Sequence, residues 1–105
     1  MIRQAIRMKV YPDKHEEYKK RHDEIWPELE KAIKAYGCHS YSIWLDEEKH
    51  LLFGYLEIED EKKWAQLPRT EINRKWWTYM QDVMETDKDN SPLTVQLKNV
   101  YNLSE

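Results

Sequence analysis

The hydrophobic period of this chain switches between two and about 3.6 along its length, and the order of the switches leaves few folds open. Ile2, Gln4, Ile6, Met8 and Val10 point one way and Arg3, Ala5, Arg7 and Lys9 the other, which predicts a half-buried strand. Pro12-Asp13 ends it, and Asp13 with Glu16 three places later has the spacing of a capping box. Tyr18, His22, Ile25, Leu29, Ala32, Ile33 and Tyr36 then follow at three- and four-residue steps, one face of a helix, with Gly37 just past its end. Pro27 interrupts that run and is expected to bend or loosen the helix near Asp23. Ser40 to Leu45 alternates again, with Tyr41, Ile43 and Leu45 on one side. A polar turn, Asp46-Glu47-Glu48-Lys49, leads into a strand from Leu51 to Ile58, and the short spacing predicts an antiparallel hairpin. Asp60 is placed to cap a short helix through Trp64 and Leu67, which Pro68 breaks. A longer helix is expected from Thr70 to Met84, with Ile72, Trp76, Met80 and Val83 on one face. After the loop 87–92, Leu93, Val95, Leu97, Tyr101 and Leu103 predict a last strand, with an irregular turn near Asn99.

The order β-α-β-β-α-β is the split-βαβ, ferredoxin-like pattern of an α+β fold, in a single domain over residues 1–105. A chain this short buries roughly two-thirds of the surface its unfolded form exposes. Helices cover one face of such a sheet, and the other face also carries residues that need cover. Two subunits packed sheet to sheet supply it, which predicts a homodimer in the form of a dimeric α/β barrel.

Net charge and patterning narrow the function classes. The net charge is −3, with no long basic tract, which argues against nucleic acid and anionic membrane as partners. No apolar run approaches the ~20 residues of a membrane span. Met1-Ile2-Arg3-Gln4-Ala5 leads straight into the first strand, without the apolar stretch of a signal peptide, and Cys38 is the only cysteine; a cytoplasmic location is expected. Glycine occurs only at 37 and 54, which leaves no phosphate-binding loop. The histidines at 15, 22, 39 and 50 form no His-x-x-x-His pair, so no metal site is expected. Five Trp and seven Tyr stand against a single Phe. Such rings pack a core while presenting N–H and O–H groups, which favours a polar small-molecule site or an interface.

Three places combine chemistry with pattern. Tyr18 and His22 fall within about 40° of each other on the first helix, on the face that carries Ile25 and Leu29. A core histidine bonded to the sheet and a pocket acid or base both fit that placement. Trp76 and Trp77 point about 100° apart, so one can face the core while its neighbour faces a groove or a second subunit. By pattern alone the pair reads first as core and interface packing, and second as a flat apolar wall for a sugar. Tyr41 lies on the apolar side of its strand, where its hydroxyl needs a partner if buried. Asp23, Glu24 and Glu28 lie on other faces of the helix and read as solvated, or as caps for the bend at Pro27, and Cys38 reads as a buried, inert thiol.

The chain resembles the L-rhamnose mutarotase family along essentially its whole length. The residues that carry the resemblance are His15-Glu16-Glu17-Tyr18, Arg21-His22, Ile25-Trp26-Pro27-Glu28-Leu29, Tyr41-Ser42-Ile43-Trp44-Leu45, Leu51-Leu52-Phe53, Trp76-Trp77, Tyr79-Met80, Asp82-Val83-Met84 and Asp89-Asn90-Ser91-Pro92. The resemblance implies a dimeric barrel in the cytoplasm that interconverts the anomers of free L-rhamnose, within rhamnose catabolism, with no cofactor and no metal. It implies a proton donor at His22 and sugar-binding roles for Tyr18, Tyr41, Trp76 and Trp77. In the mechanism it implies, His22 protonates the ring oxygen as the hemiacetal opens, while a water, a tyrosine or a carboxylate takes the O1 proton. Rival readings are a cofactor-independent monooxygenase or haem-degrading enzyme on the same fold class, a non-catalytic sugar-binding or interaction module, and a structural dimer whose aromatics are core.

Overall fold

The computed structural model describes residues 1–103. Its elements are β1 (Ile2–Lys9), α1 (His15–Asp23), α2 (Pro27–Ala35), β2 (Cys38–Asp46), β3 (Leu51–Ile58), α3 (Glu61–Trp64), a 3-10 turn (Leu67–Arg69), α4 (Glu71–Met80) and β4 (Val95–Gln96). The strands form one antiparallel sheet in the order β2-β3-β1-β4, the topology of a ferredoxin-like α+β fold. No helix among the described residues is long and apolar enough to cross a membrane.

Register follows from the alternation. Ile6 pairs with Gly54 and Met8 with Leu52, which brings the apolar sides of β1 and β3 onto one face beneath the helices. There Met8, Leu52, Leu29, Trp76, Met80 and Val83 form the main core, and Leu56 and Ile58 a second cluster with Cys38. Burying a side chain such as Leu29, which is 2% exposed, contributes about 1.5–3 kcal/mol. On this face Gly54 has a steric role. A Cβ there would meet Ile6 Cγ1 at 2.9 Å, closer than carbon atoms pack, so its absence leaves room for the Ile6 side chain on the paired strand; Tyr41 Cε1, at 3.6 Å, lies at ordinary contact distance.

The first helical run divides in two, a sharper outcome than the expected bend. A proline ring inside a helix collides with the carbonyl four residues back, and α1 ends at that residue, Asp23. Pro27 instead occupies the first turn of α2, where its fixed φ and missing N–H are tolerated. The expected capping role of Asp13 is not realised: the residue preceding α1 is Lys14, without a side-chain cap. Two other expected ends do hold. Asp60 Oδ1 accepts from the Lys62 and Lys63 amides at 2.7 and 3.2 Å. Gly37, at φ +93°, follows α2, with its amide donating to the Lys34 carbonyl.

The C-terminal third departs further from the pattern. α4 stops at Met80 rather than Met84, because the following residues turn so that Met84 can bridge to Val10 and Glu85 N–H can donate to the Lys9 carbonyl at 3.0 Å. The last strand is only Val95–Gln96, extended by the Leu97 amide bonding to the Ala5 carbonyl. Beyond it, where an irregular turn near Asn99 was expected, the described chain is neither strand nor turn, and Asn99 and Asn102 bond to each other through their carboxamides. Val100, Tyr101 and Leu103 stand exposed.

Candidate functional site

The break at Pro27 sets α1 as a short, independent helix beside α4, and a cavity of about 1050 Å³ opens between these helices and the sheet. Tyr18 and His22 from α1, Tyr41 from β2, and Trp76 and Trp77 from α4 all line it. The structure thus brings together all five residues singled out in the sequence.

Helical spacing stacks the Tyr18 and His22 rings at 4.4 Å with 29° between their planes. His22 also meets Trp76 edge-on at 5.3 Å and 90°. Its Nδ1 lies 3.0 Å from the Tyr18 carbonyl oxygen. A carbonyl only accepts, so Nδ1 carries the proton of the neutral ring and donates it to Tyr18, which leaves Nε2 with a lone pair. Burial lowers the His22 pKa below the ordinary histidine value; the Tyr18 carbonyl and the nearby Asp23 charge partly oppose it. The resting ring is therefore neutral at pH 7, with Nε2 as a base.

The tyrosines are held in their protonated forms. Burial pushes the Tyr18 hydroxyl well above its usual range, and the nearby Tyr41 adds to the effect. Tyr41 keeps 39% of its surface exposed because the cavity reaches it, yet protein packed around its hydroxyl pushes its pKa up to about 12, burial first and Cys38 second. Both are suited to hydrogen bonding rather than to acting as bases near neutrality. Cys38 is buried, its thiol pushed up by that burial, as an inert packing residue would be. Asp23 is at the surface, paired with Lys19 at 2.7 Å.

An aromatic and ionic frame behind the cavity was not evident from the sequence. Trp26, at the break between α1 and α2, meets Trp76 edge-on at 5.1 Å and stacks on Tyr79 at 5.3 Å. Arg21 lies over the Tyr79 ring, 4.3 Å from its centre. It donates to Glu17 at 2.8 Å, to the Tyr79 carbonyl at 2.6 Å and to Asp82 at 2.8 and 3.3 Å. The Arg21 guanidinium holds the Asp82 carboxyl below the usual carboxylate range. Asn73, one turn before the tryptophan pair, is buried and lines the cavity. Its helix-face spacing to Trp76 was the one available signal for it; Arg21 and Asp82, 61 residues apart, gave none.

The chain matches the L-rhamnose mutarotase family over residues 3–103. It is 53% identical over 104 residues to an L-rhamnose mutarotase of Klebsiella pneumoniae, covering 99% of this chain and all of the relative. The crystal structure of an L-rhamnose mutarotase from Formosa agariphila superimposes with a TM-score of 0.91 at 36% identity, covering 99% of this chain and 100% of that one. An antibiotic biosynthesis monooxygenase superimposes with a TM-score of 0.64 at 15% identity, covering 96% of this chain and 100% of that one, a likeness of fold alone.

The neutral burial of His22 has a thermodynamic consequence. Its folded-state pKa lies below its unfolded value near 6.5, so the unfolded chain binds the proton more tightly. The stabilising contribution is fully present above that value and is lost as pH falls toward the lowered pKa. Urea denaturation across this range is expected to show a steeper acid-side loss of stability for the wild type than for His22→Gln. Parallel curves for the two proteins would contradict the assignment of a neutral ring.

Proposed function

The chain belongs to the L-rhamnose mutarotase family, and from that premise we propose that its cavity binds the free sugar and that His22 moves the proton at both oxygens of the anomeric carbon. The enzyme is an isomerase that interconverts the α and β anomers of L-rhamnose. The assignment of His22 is carried by one observation: Nδ1 is committed to the Tyr18 carbonyl, so Nε2 alone of this imidazole is left as a base, in the cavity that Tyr18, Tyr41, Trp76 and Trp77 also line.

Ring opening breaks O1–H and C1–O5, forms C1=O1 and leaves a proton on O5. O1 and O5 are both bonded to C1, so one nitrogen within hydrogen-bond reach of the first can also reach the second. Nε2 takes the O1 proton, and the imidazolium so formed delivers it to O5. His22 is then a proton donor in the second half of the step, and no separate base is needed. Rotation about C1–C2 presents the other carbonyl face to O5, and the same transfers in reverse close the opposite anomer. Tyr18 and Tyr41 hold hydroxyls of the ring. Trp76 and Trp77 wall its C–H face and the deoxy methyl.

Acid–base catalysis by a positioned side chain typically supplies about a hundred- to ten-thousand-fold. Saturation transfer between the two anomeric protons of L-rhamnose, followed by NMR, is expected with the wild type and lost with a folded His22→Ala variant. Near-normal transfer by that variant would refute the role of His22.

The same reading takes residues 1–105 as one domain acting in the cytoplasm as a homodimer. The homodimer is supported by the sheet face away from the helices. The pairing of Trp44 with Phe53, of Phe53 with Arg7 and of Arg7 with Val95 sets three apolar side chains, Trp44, Phe53 and Val95, in one row across that face, with Arg7 among them. Trp44 is 68% exposed and Val95 45% in the single chain. A second copy packed on this face would close the barrel. Sedimentation is expected at twice the chain mass for the wild type and at the chain mass for Trp44→Glu. A monomeric wild type at high concentration would rule the dimer out.

A further inference from the structure

Among the described residues Asn73 is the one buried polar side chain, 7% exposed. Its backbone amide donates to the Thr70 hydroxyl at 3.3 Å, while its carboxamide makes no hydrogen bond among the described residues. An amide without a partner in apolar surroundings is destabilising, and proteins seldom retain one without a use. No fully enclosed side-chain nitrogen or oxygen in the described chain lacks a partner, so this carboxamide is not sealed in. It opens on the cavity that Asn73 lines.

Asn73 lies three residues before Trp76 and four before Trp77, about one 5.4 Å turn along the same face of α4. His22 approaches that face at Trp76. A sugar with C1 at His22 and its apolar side on the indoles therefore extends toward Asn73. A carboxamide offers an acceptor oxygen and two N–H donors, which suits two neighbouring hydroxyls, one donating and one accepting. We propose that Asn73 binds a vicinal hydroxyl pair on the part of the ring away from C1 and so helps to determine which sugars the site accepts. The inference rests on the reading of this cavity as the mutarotase site.

The test replaces Asn73 with Leu, of similar volume, and measures anomer exchange on L-rhamnose and on L-fucose, whose ring hydroxyls differ in configuration. The expected result for L-rhamnose is a KM raised about tenfold with kcat changed less than about threefold, and a preference between the two sugars that falls toward one. The melting temperature is expected to stay level or rise, because an unpartnered amide has been removed. Unchanged KM and unchanged preference would overturn the proposal. So would a lowered melting temperature with KM unchanged, which would make Asn73 a structural residue. If the Leu variant does not fold, Asn73→Ala gives the same readouts. A wild type without exchange activity would overturn the site reading and this role together, whereas an active wild type with indifferent Asn73 variants would overturn this role alone.

Discussion

The Arg21 guanidinium ties α1 to the end of α4. It lies on the Tyr79 ring, bonds back to Glu17 on its own helix, and reaches across to the Tyr79 carbonyl and Asp82 at the end of α4. Its side chain is only 11% exposed, whereas that of Asp82 is 63% exposed, so solvent screening keeps the ion pair itself modest in energy. What the arrangement supplies is geometry. The planar fork meets a carboxylate, a carbonyl at the negative end of a helix and an aromatic face at once, a combination that lysine could not reproduce. The residue next to Arg21 is His22, so the clamp that spaces the two helices also sets the distance between the imidazole and Trp76.

Chemistry follows from that spacing because the cavity is walled by rings. Trp26 wedges against both Trp76 and Tyr79, which fixes the indole wall from behind. Trp26 can reach them only because the helix stops at Asp23 and restarts at Pro27, leaving it extended between the two. Within this apolar enclosure the charged form of His22 is disfavoured and the neutral tautomer is fixed by the Tyr18 carbonyl. A group that rests as a base and becomes an acid by taking the first proton suits a reaction in which one proton leaves O1 and one arrives at O5.

Much of this was legible in the sequence, and the remainder was illegible for physical reasons. Period-two alternation in β1, β2 and β3 gave the sheet and its buried face, since register is set by which side of each strand is apolar. The 3.6 period placed Tyr18 beside His22. Local signals were weaker at the ends. Asp13 had capping-box spacing, but the helix began two residues later, and end positions depend on chain geometry beyond the local motif. The run from Thr70 was read through to Met84, because nothing local announces that Met84 will pair with Val10. Tyr41 met His22 in one cavity only through the fold, and its assignment to the site rested on the family resemblance. The Arg21–Asp82 contact, between residues 61 positions apart, is a product of tertiary packing that no local pattern encodes.

The central claim is that a neutral His22 begins the reaction as the base and completes it as the acid. The pH dependence of kcat/KM for anomer exchange, after subtraction of the spontaneous rate, tests it most directly. Protonation of His22 removes the starting base, so the profile is predicted to be level at and above neutral pH and to fall on the acid side with a single ionisation below 6.5, the direction in which burial moves this histidine. A profile that instead falls on the alkaline side through the same ionisation would show that the reaction starts from the imidazolium, and would contradict the account.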